Sequence, residues 1–215
     1  MIEQFNSHRL RHGNLMDPGG IETLLGDTKV DLFYSDPPWG AGNLSYWSTM
    51  NKKMTGAVVT QPPLDDFLHR FFDVAASKTK EMVFVEYGLR WKDQIIAAGV
   101  GHGLFHLGYA TPLYDTARPL HLHVFSVTPR ETPPPAYFAS IDGTVNLKTL
   151  QAALGPYRAV GKTILDPCCG LGFTAALALE SGMTFYGNEL NLARLQKTKA
   201  KLVAGTITSG LTLLG

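Results

Sequence analysis

The sequence predicts an α/β fold, one sheet with helices on both faces, and three observations predict it. The short apolar runs Val30 to Ser35, Met82 to Val85 and Thr163 to Leu165 have the length and side chains of buried strands. Segments of helical periodicity lie between them, clearest at Leu64, Phe67, Leu68, Phe71 and Phe72. Gly170 and Gly172 form a tight turn between a strand and a helix. Strands that alternate with helices argue for a parallel sheet.

In chain order, the first half opens with a polar strand around His8 to His12, followed by the strand Val30 to Ser35. Ala41 to Pro63 contains glycines, aromatics and the pair Lys52-Lys53, and reads as a loop. The helix from Leu64 carries Asp65 and Asp66 in its first turn, where acids complement the helix dipole. Met82 to Val85 is a strand, Arg90 to Ala98 a helix, and Leu104 to Ala110 and Leu120 to Val127 are two further strands. Thr128 to Gly143, rich in proline, reads as a connector. The second half predicts a helix over Leu147 to Leu154 and the strand Thr163 to Leu165. A helix over Phe173 to Ser181, capped by Gly182, comes next. The strand Thr184 to Gly187 and a helix bearing Leu192, Leu195 and Leu202 complete it. The tail from Ala204 to Gly215 receives no assignment. The division expected is one domain over 1–215, with halves 1–127 and 147–215 joined by a linker at 128–146.

Composition narrows the class of protein. Of 215 residues 45% are hydrophobic and 17% charged, enough apolar surface for a sizeable core. A net charge of +1 means that any nucleic-acid contact rests on a local patch. The two cysteines, Cys168 and Cys169, are adjacent, which leaves neither a disulfide framework nor a zinc set. His102, His106, His121 and His123 have no metal-ligand spacing, so no metal is expected. The first ten residues lack the apolar core of a signal peptide and no stretch is long enough to span a membrane, which predicts an intracellular, soluble protein.

Two constellations carry chemistry. The first is strand, glycine turn, helix, strand, acid. Gly170 and Gly172 let the backbone approach a ligand, and Glu189, nineteen positions after Gly170, is placed to accept both hydroxyls of a ribose. The third glycine of the dinucleotide fingerprint is missing, so a pyrophosphate is not the expected ligand. Asp166 is suited to accept from an ammonium group, and a sulfonium cofactor with an amino-acid tail suits both acids. The second is Asp36-Pro37-Pro38-Trp39, directly after an apolar strand and thus at the carboxyl edge of the sheet. The prolines have no N–H and leave carbonyl acceptors, Asp36 adds a charged acceptor, and Trp39 offers a stacking face. A site that accepts two N–H bonds and stacks one ring fits a planar aromatic amine. Two acceptors pulling on its hydrogens localise the nitrogen lone pair for attack on a methyl group.

Together the motifs resemble those of S-adenosylmethionine-dependent amino-methyltransferases. With the catalytic half first and the cofactor half last, the order resembles the permuted β-class of DNA adenine-N6 and cytosine-N4 enzymes. His12-Gly13-Asn14-Leu15 resembles that class's opening segment. The resemblance implies a Rossmann-like methyltransferase sheet, in circularly permuted order, that binds S-adenosyl-L-methionine. It further implies that Asp36 and the Pro37 carbonyl hold the amine, that Pro38 completes the motif and that Trp39 stacks on a flipped base. Asp166, Cys168, Gly170 and Gly172 would then line the methionine end, with Lys148 on the helix that contributes to that pocket, Glu189 the ribose and Asn14 the adenine. Cys168 departs from the family's phenylalanine and Asn14 from its aspartate, and no recognition region is inserted between the halves. Readout is then left to Ala41 to Pro63, where Tyr46, Trp47, Lys52 and Lys53 suit stacking and phosphate contact, and to Thr111 to Pro119.

The function expected from this resemblance is adenine-N6 methylation of DNA, single- or double-stranded, with short or relaxed specificity. The expected setting is the cytoplasm of a prokaryotic or phage-infected cell, in restriction-modification or phage DNA modification, as a homodimer or with a partner subunit. Cytosine-N4 methylation, RNA adenine methylation and a non-catalytic cofactor-binding subunit are the alternatives.

Overall fold

The computed structural model describes the backbone of residues 1–212 and the side chains of residues 1–204. The described residues form eight strands: β1 (Ile2–Phe5), β2 (His8–His12), β3 (Val30–Ser35), β4 (Thr79–Gly88), β5 (Phe105–Ala110), β6 (Leu120–Ser126), β7 (Thr163–Asp166) and β8 (Thr184–Glu189). They build one sheet in the order β1-β2-β8-β7-β3-β4-β6-β5. The five central strands from β2 to β4 run parallel. The edges depart from the all-parallel sheet expected: β1 pairs antiparallel with β2, and β6 runs antiparallel to both β4 and β5. The reason is local, because β1–β2 and β5–β6 are joined by short connections without a crossover helix, and such returns produce antiparallel neighbours.

Helices cover both faces, as the continuous apolar strands require. α1 (Gly20–Leu25), α2 (Gly40–Thr55), α3 (Leu64–Lys78) and α4 (Lys92–Gly101) share a core with Phe33, Val83 and Val85. α5 (Pro135–Ile141), α6 (Leu147–Leu154), α7 (Phe173–Glu180) and α8 (Leu192–Thr212) enclose Leu32, Phe84 and Ile164 on the other side. Neighbouring residues of one strand therefore feed opposite cores, such as Leu32 against Phe33 and Ile164 against Leu165.

Two segments read as irregular are helical. Ala41 to Pro63 forms α2 over most of its length, because Leu44 and Asn51 are buried while the glycines fall in its first turn. The connector holds α5, whose Pro135 sits at the first helical position, where a missing N–H costs nothing. Tyr137 and Ile141 fasten that helix to the core. The strand at Met82 to Val85 extends over Thr79–Gly88, and the short elements β1 and α1 are additions to the expected set. The unassigned tail continues α8 as far as Thr212, and 213–215 lie outside the described residues.

Candidate active site

The carboxyl ends of β7, β3 and β4 lie side by side, and each delivers an acid. Ser35 pairs with Val85, so Asp36 stands next to Glu86, and Phe33 pairs with Leu165, which sets Asp166 opposite Tyr34. The Tyr34 hydroxyl donates to Glu86. These three acids line an inner cavity of about 240 Å3. It adjoins an outer cleft of about 650 Å3.

Asp36-Pro37-Pro38-Trp39 forms the edge between the two. Trp39 Nε1 donates to Asp36 Oδ1 at 2.8 Å. The Tyr87 hydroxyl donates to the Pro38 carbonyl at 3.1 Å and accepts from Gly40 N at 2.8 Å, which locks the turn into α2. Gly40 has φ 72°, and a Cβ there would lie 2.4 Å from the Trp91 ring. Pro37 is buried and lines the cleft, and its carbonyl accepts no hydrogen bond among the described residues. The Asp36 carboxylate beside it is exposed. Tyr114 meets Trp39 edge-on, ring centroids 5.3 Å apart, and narrows the slot beside it.

The glycine turn is held just as firmly. Asp166 accepts from Ser35 Oγ at 2.9 Å, Cys168 N at 3.1 Å and Thr174 Oγ1 at 2.7 Å, so most of its acceptor capacity is used inside the protein. Asp166 thus anchors the turn, a larger duty than the ligand contact expected of it. Glu189 likewise accepts from Gly170 N and Asn191 N, each at 2.8 Å, and keeps an edge on the cleft. Gly170 and Gly172 both have positive φ, and a Cβ on Gly172 would meet Thr198 Oγ1 at 2.8 Å. The Asn188 side chain donates to the Pro167 carbonyl and is fixed in turn by Arg11.

Electrostatics follow from this enclosure. Burial raises the Asp166 pKa to about 6. Burial also raises that of Glu86 to about 7, with Asp166 adding to the effect against the opposing Tyr34 hydrogen bond. Asp36 is exposed to the cleft, yet desolvation by the surrounding protein and the neighbouring Glu86 push it upward. Burial drives both cysteine thiols up, which removes them as thiolate nucleophiles.

Most sequence-predicted site residues line the two cavities: Asn14, Pro37, Pro38, Trp39, Tyr46 and Glu189 in the cleft, Asp166 and Gly170 in the inner cavity, and Asp36, Trp47 and Cys168 in both. Gly172 stands behind the turn against α8. Lys148 does not take part, because it is exposed on α6 while Leu150 of the same helix faces the inner cavity. Lys52 and Lys53 are exposed in the last turn of α2, outside both cavities. Residues missed from sequence include Glu86, Tyr114 and Arg194. Glu86 did carry a signal, as an acid ending an apolar strand just as Asp36 does. Arginines lie over aromatic rings around the cleft, Arg90 over Trp91 at 3.8 Å, Arg118 over Tyr114 at 5.0 Å and Arg194 over Trp47 at 4.2 Å.

No protein-family model and no curated protein matches the chain. Solved structures do. The chain is similar to a DNA modification methylase of Thermus thermophilus in complex with S-adenosyl-L-methionine, with TM-score 0.65 and 15% identity, covering 92% of this chain and 94% of that one. The M1.HpyAVI–SAM complex has TM-score 0.61 and 13% identity, covering 90% and 98%. The cytosine-N4-specific PvuII DNA methyltransferase has TM-score 0.62 and 11% identity, covering 90% and 86%. The fold is therefore the Rossmann-like sheet of DNA methyltransferases.

Proposed function

We propose that the chain is an S-adenosyl-L-methionine-dependent DNA methyltransferase of the permuted β-class, acting on N6 of an adenine flipped out of the duplex. The observation that carries this reading is the meeting of Asp36-Pro37-Pro38-Trp39 with Glu189 in one cleft, where Asp36 also lines the adjoining inner cavity with Asp166 and Gly170. The residues fit the cofactor: Glu189 keeps a face on the cleft, and the acidic inner cavity suits a sulfonium. When bound, the cofactor supplies an electrophilic methyl group.

The protein's own residues prepare the amine. Asp36 and the Pro37 carbonyl accept its two hydrogens, which turns the nitrogen lone pair toward the inner cavity. Trp39 and Tyr114 hold the ring in the cleft. Asp36 also stands where the proton lost from the methylated nitrogen must leave. Aspartate at this position favours adenine; cytosine-N4 methylation is the second reading, supported by the likeness to the PvuII enzyme.

The test is incubation with methyl-labelled cofactor and separate DNA and RNA pools, followed by nucleoside mass spectrometry. Labelled N6-methyladenine from DNA is expected. N4-methylcytosine would replace the adenine reading, label confined to RNA would replace the DNA reading, and no label in either pool would overturn the enzyme reading.

A further inference from the structure

The charges of the inner cavity are uneven. Asp36, Glu86 and Asp166 line it together with one basic side chain, Arg194. That arginine lies in the first turn of α8, whose start is fixed by hydrogen bonds from Arg194 N to Asn191 O and Asn191 Oδ1, each 3.1 Å. Its guanidinium lies 4.2 Å from the centre of the Trp47 ring. Among the described residues it forms no salt bridge and its side chain donates no hydrogen bond, although acids lie nearby. The glycine turn makes room for it: a Cβ on Gly170 would stand 2.5 Å from Arg194 Nη2. A planar fork of donors, oriented by a ring and left without a protein acceptor, is built to receive an anion.

We infer that Arg194 binds the α-carboxylate of the cofactor's amino-acid tail, while the ammonium and sulfonium groups of the same ligand face Glu86 and Asp166. This inference rests on the cofactor reading above and specifies which end of the ligand enters the inner cavity. It also gives Arg194 the place expected of Lys148, which lines neither cavity. A ligand with one anion and two cations within a few bonds matches a cavity with one guanidinium and, besides the amine-binding Asp36, two carboxylates.

The experiment compares S-adenosylmethionine with its decarboxylated analogue, which keeps the nucleoside, the sulfonium and the amine. Calorimetry on the wild-type protein should show S-adenosylmethionine bound more tightly by at least about tenfold, the scale of one charge-assisted hydrogen bond. Arg194→Gln should reduce that preference to within about twofold and bind the decarboxylated analogue as the wild type does, which also reports that it is folded. Arg194→Lys, which keeps the charge without the fork, should retain part of the preference. A wild-type protein indifferent to the carboxylate overturns the inference. So does an Arg194→Gln protein that loses both ligands equally, which would make Arg194 a countercharge to the acidic strand ends. Failure of the wild type to bind either compound overturns the cofactor reading itself.

Discussion

The indole nitrogen of Trp39 and the carboxylate of Asp36 are joined at 2.8 Å, so the ring expected to stack on the substrate also orients the group that acts on it. One carboxylate oxygen is held by the indole and the other is left for the amine. The two roles separate by substitution. Trp39→Phe keeps a stacking face and removes the donor; it should lower kcat roughly tenfold, as expected for losing a hydrogen bond to a charged group. Asp36→Ala should lower kcat on the order of a hundredfold or more with cofactor affinity within a few-fold. Single-turnover methylation combined with calorimetry measures both. An Asp36→Ala protein that keeps a tenth of the wild-type rate would sink the assigned chemistry.

Cofactor affinity should depend on pH through the inner cavity. Glu86 is raised to about 7 and Asp166 to about 6, each chiefly by burial. A cation in the cavity favours their ionised forms, so affinity should be high above pH 7 and fall as pH drops through 7 to 6. Near neutrality, binding should release protons. Titration calorimetry in buffers of different ionisation enthalpy reads that release, and equal heats at pH 7 would refute it.

The histidines of β5 and β6 predict acid sensitivity of a different origin. His123 is buried with no hydrogen-bond partner on either ring nitrogen, and burial lowers it to about 3, with His106 and His121 beside it lowered as well. The folded-state value lies below the unfolded one. The stability this group retains above pH 6.5 is therefore lost as pH falls from there toward 3. His123→Phe removes that titration and the orphaned nitrogens. Its Tm should exceed that of the wild type by a margin that widens between about pH 7.5 and about pH 5; a margin constant with pH would count against the explanation.

Recognition of DNA should be short or relaxed, at one to three bases around the target. Outside the strand ends the cleft is lined by short stretches, among them part of α2, Val59, Thr60, Pro62, Arg90, Trp91, Tyr114 and Arg118, and each base pair read needs a side chain at its edge. Affinity should then rest on phosphate contacts. Lys52 and Lys53 are exposed together in the last turn of α2, so their double replacement by alanine should flatten the slope of log K against log salt by up to about 2 if that face meets the backbone. Methylation of a randomised library, mapped by sequencing, tests the first expectation. A defined site of five or more base pairs would refute it.

Much of this arrangement was legible because strand-end residues are bound to local pattern. An apolar run followed by Asp36-Pro37 or Asp166-Pro167 announces the carboxyl edge of a buried strand, and Gly170 to Glu189 spans one turn, helix and strand. Helix α2 was not legible, since Gly40, Gly42 and several aromatic and amide side chains hide a helix whose buried face is small. Arg194 was invisible for another reason. Its position reads as an ordinary charged helix residue, and only the tertiary approach of Trp47 and Gly170 makes it part of a cavity. Lys148 misled in the opposite sense, because one step along a helix turns a residue by about 100° and moved it to the solvent side.

The neighbouring placement of β2 and β8 has a kinetic consequence. Leu10 pairs with Gly187, and Arg11 reaches Asn188 across 177 positions of sequence. During synthesis β2 must wait, unpaired with β8, until the 177 positions that separate Arg11 from Asn188 have left the ribosome. The edge of β8 has no neighbour until that strand returns. Closure of this long loop is the natural slow step of folding, and the interval before it is when the half-built sheet is most open to pairing with another molecule.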